Sequence, residues 1–148
     1  LTAARISAVE ISASAVSYLE QNIASEQKKI MVEPCSVSSW GELADVSSFD
    51  MIISNPPYIR NTEVPNDREV RDFDPREALY GGADGLDLIR EIASLSAVIL
   101  KSGGTFLVEH SNLQGQEVRE ILQARGFVEI STGRDMAGRE RFTEARKH

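Results

Sequence analysis

The stretch Phe49-Asp50-Met51-Ile52-Ile53-Ser54, followed at once by Asn55-Pro56-Pro57-Tyr58, decides the fold of this chain. Its first six residues form a nearly continuous apolar run, which is typical of a strand buried on both faces in a parallel sheet. The prolines that follow cannot continue a central strand, because they lack the N–H that the ladder needs. We therefore predict a parallel sheet in which Asn55 lies at the carboxyl end of a buried strand.

Strand and helix signals alternate before this stretch. Residues 5–10 and 29–33 predict two short strands, and Ser12 or Ser14 could cap a helix between them. The polar residues 35–48 predict a loop that could contain one helical turn. The first third of the chain is thus expected to have strand–helix–strand order.

The same alternation continues after Tyr58. Residues 59–84 have no sustained period and predict a long loop, which in a compact domain is often functional. Asp84 could cap the helix that follows, and Gly103-Gly104 would end that helix. Residues 105–109 predict a buried strand, and residues 116–125 predict a helix. The helix that begins after Asp84 is predicted to have an apolar face made of Leu88, Ile92, Leu95 and Ile99.

Two strands, at residues 127–130 and 141–145, close the chain. Their connection is too short for a helix of normal length, so we expect them to pair antiparallel. The whole pattern predicts an α/β fold with an open, doubly wound, mostly parallel sheet and one reversed strand at its edge.

Composition excludes several kinds of site. The net charge of -7 and the pI near 4.9 argue against a surface built to grip nucleic-acid phosphates, although a local basic groove remains compatible with them. The single cysteine, Cys35, excludes an internal disulfide, and two histidines, His110 and His148, are too few for a histidine-rich metal centre. No apolar run of about 18 residues is present, so we expect no membrane segment, no metal and a cytoplasmic location.

The Asn55–Tyr58 segment has the chemistry of a binding site for a planar NH₂ group. The side-chain carbonyl of Asn55 and the backbone carbonyl of Pro56 can face outward as two acceptors, and Tyr58 adds a flat face. An amide or exocyclic amino nitrogen is a poor nucleophile. Two acceptors on its protons would stabilise the positive charge that develops as a methyl group arrives. The alternative is that Asn-Pro-Pro is only a turn, since both of its dipeptides are common in turns.

The sequence resembles the C-terminal catalytic part of the HemK/PrmC family, protein-glutamine N5-methyltransferases that act on peptide chain release factors. The segments that carry the resemblance run along nearly the whole chain. They are residues 55–59, Asp74-Pro75-Arg76-Glu77-Ala78-Leu79, Gly81-Gly82-Ala83-Asp84-Gly85-Leu86, Leu107-Val108-Glu109-His110, Gln114-Gly115-Gln116 and residues 134–142. The resemblance implies a class I, Rossmann-like methyltransferase fold, S-adenosylmethionine as cofactor and a release factor as protein partner.

The resemblance also implies roles for individual residues. Asn55 and the carbonyl of Pro56 would hold the glutamine amide, with Pro57 and Tyr58 completing the substrate pocket and Asn55 also bordering the cofactor. Glu10, at the end of the first strand, would accept hydrogen bonds from the cofactor's ribose hydroxyls, as an acid at that place does in dinucleotide-binding folds. By the same comparison His110 is expected to be structural.

The sequence departs from the family in two places. Residues 1–148 do not include the family's glycine-rich cofactor loop, the strand before it or the preceding helical domain. They are therefore expected to be a partial catalytic domain whose sheet has a gap between the strands ending at Glu10 and Ser54. The acid expected to contact adenine is replaced in the region of Glu33 and Cys35, where Glu33 could take its place.

Two other functions remain open at this point. The Asn-Pro-Pro-aromatic motif also occurs in methyltransferases that modify adenine N6 or guanine N2 of nucleic acids. A truncated, non-catalytic remnant or binding module is the third possibility, because most of the cofactor half of the site is missing from the sequence.

Overall fold

The computed structural model describes residues 4–65 and 67–148. The strands of this part are β1 Ile6–Val9, β2 Ile30–Glu33, β3 Phe49–Ser54, β4 Leu100–Glu109, β5 Phe127–Arg134 and β6 Glu140–Lys147. The helices are α1 Ala13–Ser25, α2 Val37–Leu43, α3 Arg68–Phe73, α4 Arg76–Leu79, α5 Asp87–Ile99 and α6 Gly115–Ala124. The chain divides into two compact units with the boundary between Ala44 and Asp45.

The first unit is a strand–helix–strand arrangement. Strands β1 and β2 pair in parallel, with a register that runs from Ile6 opposite Ile30 to Val9 opposite Glu33. Of the two candidate caps, Ser12 is the one used: its hydroxyl accepts a hydrogen bond from the N–H of Ala15 at the start of α1. The predicted order of elements in this part of the chain is confirmed.

The loop predicted for residues 35–48 contains more structure than expected. Val37–Leu43 forms α2, and the Ser36 hydroxyl caps it by accepting from the N–H of Ser39 at 3.1 Å. A helix of seven residues completes only about two turns, so its apolar positions are too few to show a period in the sequence.

The second unit contains a four-stranded sheet in the order β3-β4-β6-β5. Strands β3 and β4 are parallel, and β6 runs antiparallel to both β4 and β5. The predicted terminal hairpin is confirmed, but its predicted place is wrong, because the reversed strand lies inside the sheet and β5 lies at the edge. Inside the sheet β6 pairs on both sides, and its fully buried Thr143 lies opposite Val108 of β4 and Thr132 of β5.

The prediction that strand 49–54 is buried on both faces is wrong for this structure. Met51 and Ile53 are 55% and 66% exposed, whereas Ile52, aligned with the fully buried Phe106, points to the opposite face. Helices α5 and α6 contact each other, and their buried side chains pack with those of the Phe106 face, so the Phe106 face is the covered one.

The core of the second unit lies between that covered face and the two helices. Its fully buried aliphatic and aromatic side chains are Ile89, Ala93, Ile99, Leu100, Phe106, Val108, Val118, Leu122 and Ala145. In α5 the buried face passes through Ile89, Ile92, Ser96 and Ile99, which is rotated from the predicted face of Leu88, Ile92, Leu95 and Ile99.

Two predictions about the ends of α5 are also wrong. Leu86 is its N-cap residue, while the Asp84 carboxylate accepts from the N–H of Leu86 and pairs with Arg90 instead. At the other end, β4 begins directly at Leu100 and includes Gly103-Gly104, which the sequence suggested as a helix stop.

The long segment after β3 is folded. It contains the short helices α3 and α4, and Ile59 forms an isolated parallel bridge with Tyr80. Asp67 caps α3 by accepting from the N–H of Glu69. The guanidinium of Arg76 stacks over the ring of Tyr80, 4.5 Å from its centroid, and so orders the end of this segment.

Neither a membrane span nor a metal centre is found in residues 4–65 and 67–148. None of the helices described there has both the length and the apolar character needed to cross a bilayer. The described His, Cys, Asp and Glu side chains form no group of three or more that could hold a metal ion.

Candidate functional site

Two hydrogen-bond acceptors at the carboxyl end of β3 are free. Asn55 is exposed, and its side-chain amide makes no hydrogen bond with any other residue that the structure describes. Pro56 is buried, yet its carbonyl oxygen accepts no hydrogen bond from the described part of the chain. These are the two groups that the sequence predicts for substrate binding.

The backbone immediately after these acceptors is held firmly. The N–H of Ile59 donates to the carbonyl of Leu79, and the N–H of Gly81 donates back to the carbonyl of Ile59, both at 2.9 Å. Ile59, directly after the Asn55–Tyr58 loop, therefore forms a short parallel ladder with residues 79–81.

Gly81 and Gly85 allow this ladder to approach the loop. A Cβ at Gly81 would overlap the carbonyl oxygen of Pro57, and a Cβ at Gly85 would overlap that of Tyr58. Gly85 also has φ +77°, a conformation that favours glycine. The Gly81–Leu86 segment, which matched the family far from the Asn-Pro-Pro motif, is thus packed directly against it.

Gln114 joins the same cluster, although the sequence predicts no role for this residue. Its side chain is only 2% exposed. Its Nε2 lies 3.1 Å from the carbonyl oxygen of Tyr58 and 3.2 Å from that of Asp84. A lone glutamine in a polar turn gives no sequence signal for burial, so only its place in a matching segment could have drawn attention to it.

Tyr58 is fixed at both ends. Its hydroxyl donates to Glu109 Oε1 at 3.2 Å, and Glu109 lies at the end of β4. Burial, together with the nearby Glu109 carboxylate, raises the pKa of Tyr58, while Arg141 acts in the opposite direction. The phenol is therefore neutral at physiological pH and its ring is held in place.

Three of the residues predicted to bind the cofactor, Glu10, Glu33 and Cys35, lie together in the first unit, and the fourth, Asn55, belongs to the second unit. Parallel pairing brings Glu10 and Glu33 to the carboxyl ends of adjacent strands, where the N–H of Glu10 donates to the carbonyl of Glu33 at 3.1 Å. The N–H of Cys35 donates to the same carbonyl at 2.9 Å. The side chains of Glu10 and Glu33 and the thiol of Cys35 are all half-buried.

The Glu10 carboxylate is oriented by its own loop. One of its oxygens accepts from the N–H of Ser12 at 2.8 Å. The carboxylate retains acceptor sites for other donors, because each carboxylate has about four lone-pair positions.

His110 lies in the interior, as expected for a structural residue. It is fully buried, with Nδ1 2.8 Å from the carbonyl of Ser111 and Nε2 2.9 Å from Thr143 Oγ1. Because a carbonyl can only accept, Nδ1 donates to Ser111, while Nε2 forms a hydrogen bond with the Thr143 hydroxyl. Both ring nitrogens are thus used within the fold.

Comparison with known proteins finds close relatives among curated sequences. The chain is 37% identical over 147 residues to the release factor glutamine methyltransferase of Bifidobacterium longum, covering 91% of this chain and 49% of that protein. It is 46% identical over 98 residues to the protein of the same name from Clostridium acetobutylicum, covering 66% of this chain and 34% of that protein. The chain thus spans about half the length of the curated relatives it matches, or less, and no family model matches it.

Solved structures share the fold at low sequence identity. A methyltransferase from Pyrococcus furiosus aligns with a TM-score of 0.66 and 16% identity, over 97% of this chain and 62% of that one. A 16S rRNA N2 G1207 methyltransferase from T. thermophilus, in complex with AdoMet and guanosine, aligns with a TM-score of 0.62 and 14% identity, over 96% of this chain and 29% of that one. These likenesses confirm the predicted α/β, Rossmann-like class I methyltransferase fold.

Proposed function

Since the chain belongs to the family of the release factor glutamine methyltransferases, we propose that it forms the substrate-binding part of an enzyme that methylates a glutamine side chain of a peptide chain release factor. The methyl donor in this proposal is S-adenosylmethionine. The product is an N5-methylated glutamine in the release factor.

One observation supports this proposal most directly. The two acceptors at Asn55 and Pro56 have no partner in the described chain, while the backbone beside them is fixed by the ladder at Ile59 and Gly81. A rigid site with two free carbonyl oxygens is complementary to an NH₂ group, which has two protons to donate. A glutamine side-chain amide is such a group.

The reaction requires the amide nitrogen to act as a nucleophile. When bound, S-adenosylmethionine supplies a methyl group on a positively charged sulfur. The nitrogen lone pair would form the new N–C bond, the C–S bond would break to leave S-adenosylhomocysteine, and one N–H proton would pass to water. The Asn55 and Pro56 oxygens hold the two protons of the NH₂ group, orient the lone pair and stabilise the positive charge that develops on nitrogen.

The aromatic residue shapes the substrate pocket. With its hydroxyl donated to Glu109, Tyr58 can offer a flat ring face to the planar amide without competing for its protons. We propose that Pro57 and Tyr58 form the wall of the pocket beside the two acceptors.

The first unit contains groups suited to the cofactor. Glu10 has a carboxylate with unused acceptor sites that fits a pair of ribose hydroxyls, which donate hydrogen bonds. We propose Glu33 and Cys35, beside Glu10 on β2 and the turn after it, as neighbours of the adenine, and Asn55 as a residue that borders the methyl donor.

The test is methylation of a purified release factor by the complete protein that contains these 148 residues, followed by mass spectrometry. Asn55→Ala is expected to lower kcat by about 100-fold or more, because one of the preorganised acceptors is lost. Asn22→Ala, at an exposed position in α1, is the matched control and should retain full activity.

Transfer of the methyl group to RNA or DNA, with none to the release factor, would replace this proposal by the nucleic-acid alternative. The net charge of -7 argues for the protein substrate, since a polyanion would be repelled. Absence of transfer to either class of substrate would leave the non-catalytic alternative.

A further inference from the structure

We propose that Gln114 is a positioning residue for the Asn55–Tyr58 loop, acting through backbone carbonyls and not through contact with substrate. The inference rests on the function proposed above and extends it to a residue to which no role has yet been given. It begins from the position of Gln114 as the N-cap residue of α6, in which its side chain makes no cap hydrogen bond.

The side chain of Gln114 forms hydrogen bonds with three separate segments of the chain. Nε2 lies within 3.1 to 3.4 Å of the carbonyl oxygens of Tyr58, Asp84 and Gly85, while Oε1 accepts from the N–H of Ser111 at 3.0 Å. An amide NH₂ has two protons, so three carbonyls share them. One buried side chain therefore connects the Asn55–Tyr58 loop to the Gly81–Leu86 segment and to the turn between β4 and α6.

Burial makes these bonds important for the local geometry. At 2% exposure of Gln114, water cannot replace a donor that is removed. Each carbonyl left without a donor would then be buried without a hydrogen bond, which is unfavourable, and the loop would shift to regain a partner. Tyr58 follows Asn55 and Pro56 by only a few bonds, so a shift of its carbonyl moves both acceptors.

Gly85 is needed for the same contact between Gln114 and the Tyr58 carbonyl. A Cβ at Gly85 would overlap the Tyr58 carbonyl and come within 2.7 Å of Gln114 Nε2. The absence of a side chain at residue 85 therefore lets the glutamine amide reach the substrate loop. The contact among Gln114, Gly85 and the Tyr58 carbonyl therefore holds the Asn55–Tyr58 loop in place.

Two variants separate positioning from simple structural support. Gln114→Glu keeps the shape but replaces the donor by a carboxylate, which would face three carbonyl oxygens. Gln114→Met keeps the approximate volume and has no donor at all. Gln123→Glu, at an exposed position of the same helix, is the matched control for the charge change.

The first readout is steady-state methylation of the release factor by the complete protein. Both Gln114 variants should lose about 10- to 100-fold in kcat, with KM for S-adenosylmethionine changed by less than about twofold. As the pH falls from about 8 to about 6, kcat of Gln114→Glu relative to wild type should rise, because a buried carboxyl takes up a proton and becomes a donor again. Gln114→Met should show no such recovery.

The second readout does not depend on activity. Hydrogen exchange at the N–H groups of Ile59 and Gly81 should be at least about tenfold faster in Gln114→Met than in wild type, because their ladder opens more readily. Gln123→Glu should exchange like wild type.

The outcomes distinguish the two proposals. If the wild-type protein methylates no release factor, the proposed function fails, and the exchange experiment alone decides the role of Gln114. Unchanged exchange at Ile59 and Gly81 overturns the positioning role, as does a kcat of Gln114→Met that equals wild type.

Discussion

Single residues decide how closely the segments around Asn55 can pack. Gly85 and Gly103 have almost the same backbone conformation, with φ values of +77° and +75°. They differ in their surroundings, since a Cβ at Gly85 would meet Tyr58 and Gln114 whereas a Cβ at Gly103 would meet nothing within 4 Å. The pair therefore separates the cost of backbone strain from the cost of overlap.

Gly103→Ala is expected to lower the free energy of unfolding by about 1 kcal/mol, the cost of a left-handed conformation with a Cβ. Gly85→Ala adds overlap with backbone atoms that cannot rotate away, so we expect a loss of about 3 kcal/mol or more. Urea unfolding of the two variants measures both values. Equal losses for the two variants would show that the close approach at Gly85 is relieved at no cost.

At the scale of elements, the start of α5 depends on an ion pair in place of the predicted cap. The Asp84 carboxylate accepts from the Arg90 guanidinium and from the N–H of Leu86. The hydrogen bond from Arg90, followed by that from Leu86, holds the pKa of Asp84 below its usual value of 3.8. The conformation of the turn before α5 therefore depends on the charge of the Asp84 carboxylate.

Asp84→Asn should reduce stability at neutral pH, because it removes a charge that Arg90 stabilises. A carboxyl whose pKa is lowered by folding contributes stability above its unfolded pKa and loses that contribution as the pH falls through its folded pKa. The difference between wild type and variant should therefore persist from about pH 7 to about pH 4 and shrink only below 3.8.

Thermal unfolding across this pH range measures that difference. Asp50→Asn is the control, because Asp50 is an exposed carboxylate paired with Lys101 and should contribute less than about 0.5 kcal/mol. A difference for Asp84→Asn that does not change on acidification would contradict the ion-pair explanation.

The elements also show where sequence patterns are informative. Strands β1 and β2, helix α6 and the terminal hairpin could be predicted because apolar alternation and glycine stops mark them directly. Helices α2, α3 and α4 could not, since a helix of four to seven residues shows no period. The sequence does not define the buried face of α5, because apolar residues at 88, 89, 92, 95 and 99 fit two faces that differ by one residue.

At the scale of the whole molecule, the core of the second unit is one-sided. Val108 is fully buried on the helix-covered face, whereas Val128 in β5 is 38% exposed. Val108→Ala is expected to cost about 2 kcal/mol or more, from lost apolar burial and the cavity left behind, and Val128→Ala less than about 1 kcal/mol. Denaturant unfolding measures the loss of stability in both variants. A larger loss for Val128→Ala than for Val108→Ala would contradict the assignment of the core to the helix-covered face.

The sequence by itself determined the α/β class, the order of the main elements and the position of Asn55–Tyr58 after a strand, because these follow from local periodicity and from the backbone limits of proline and glycine. Tertiary structure alone decided that β6 lies inside the sheet, that Met51 and Ile53 are exposed and that Gln114 is buried against Tyr58. Such features depend on which distant segments become neighbours, and the choice among possible partners is made by packing and hydrogen-bond satisfaction over the whole fold.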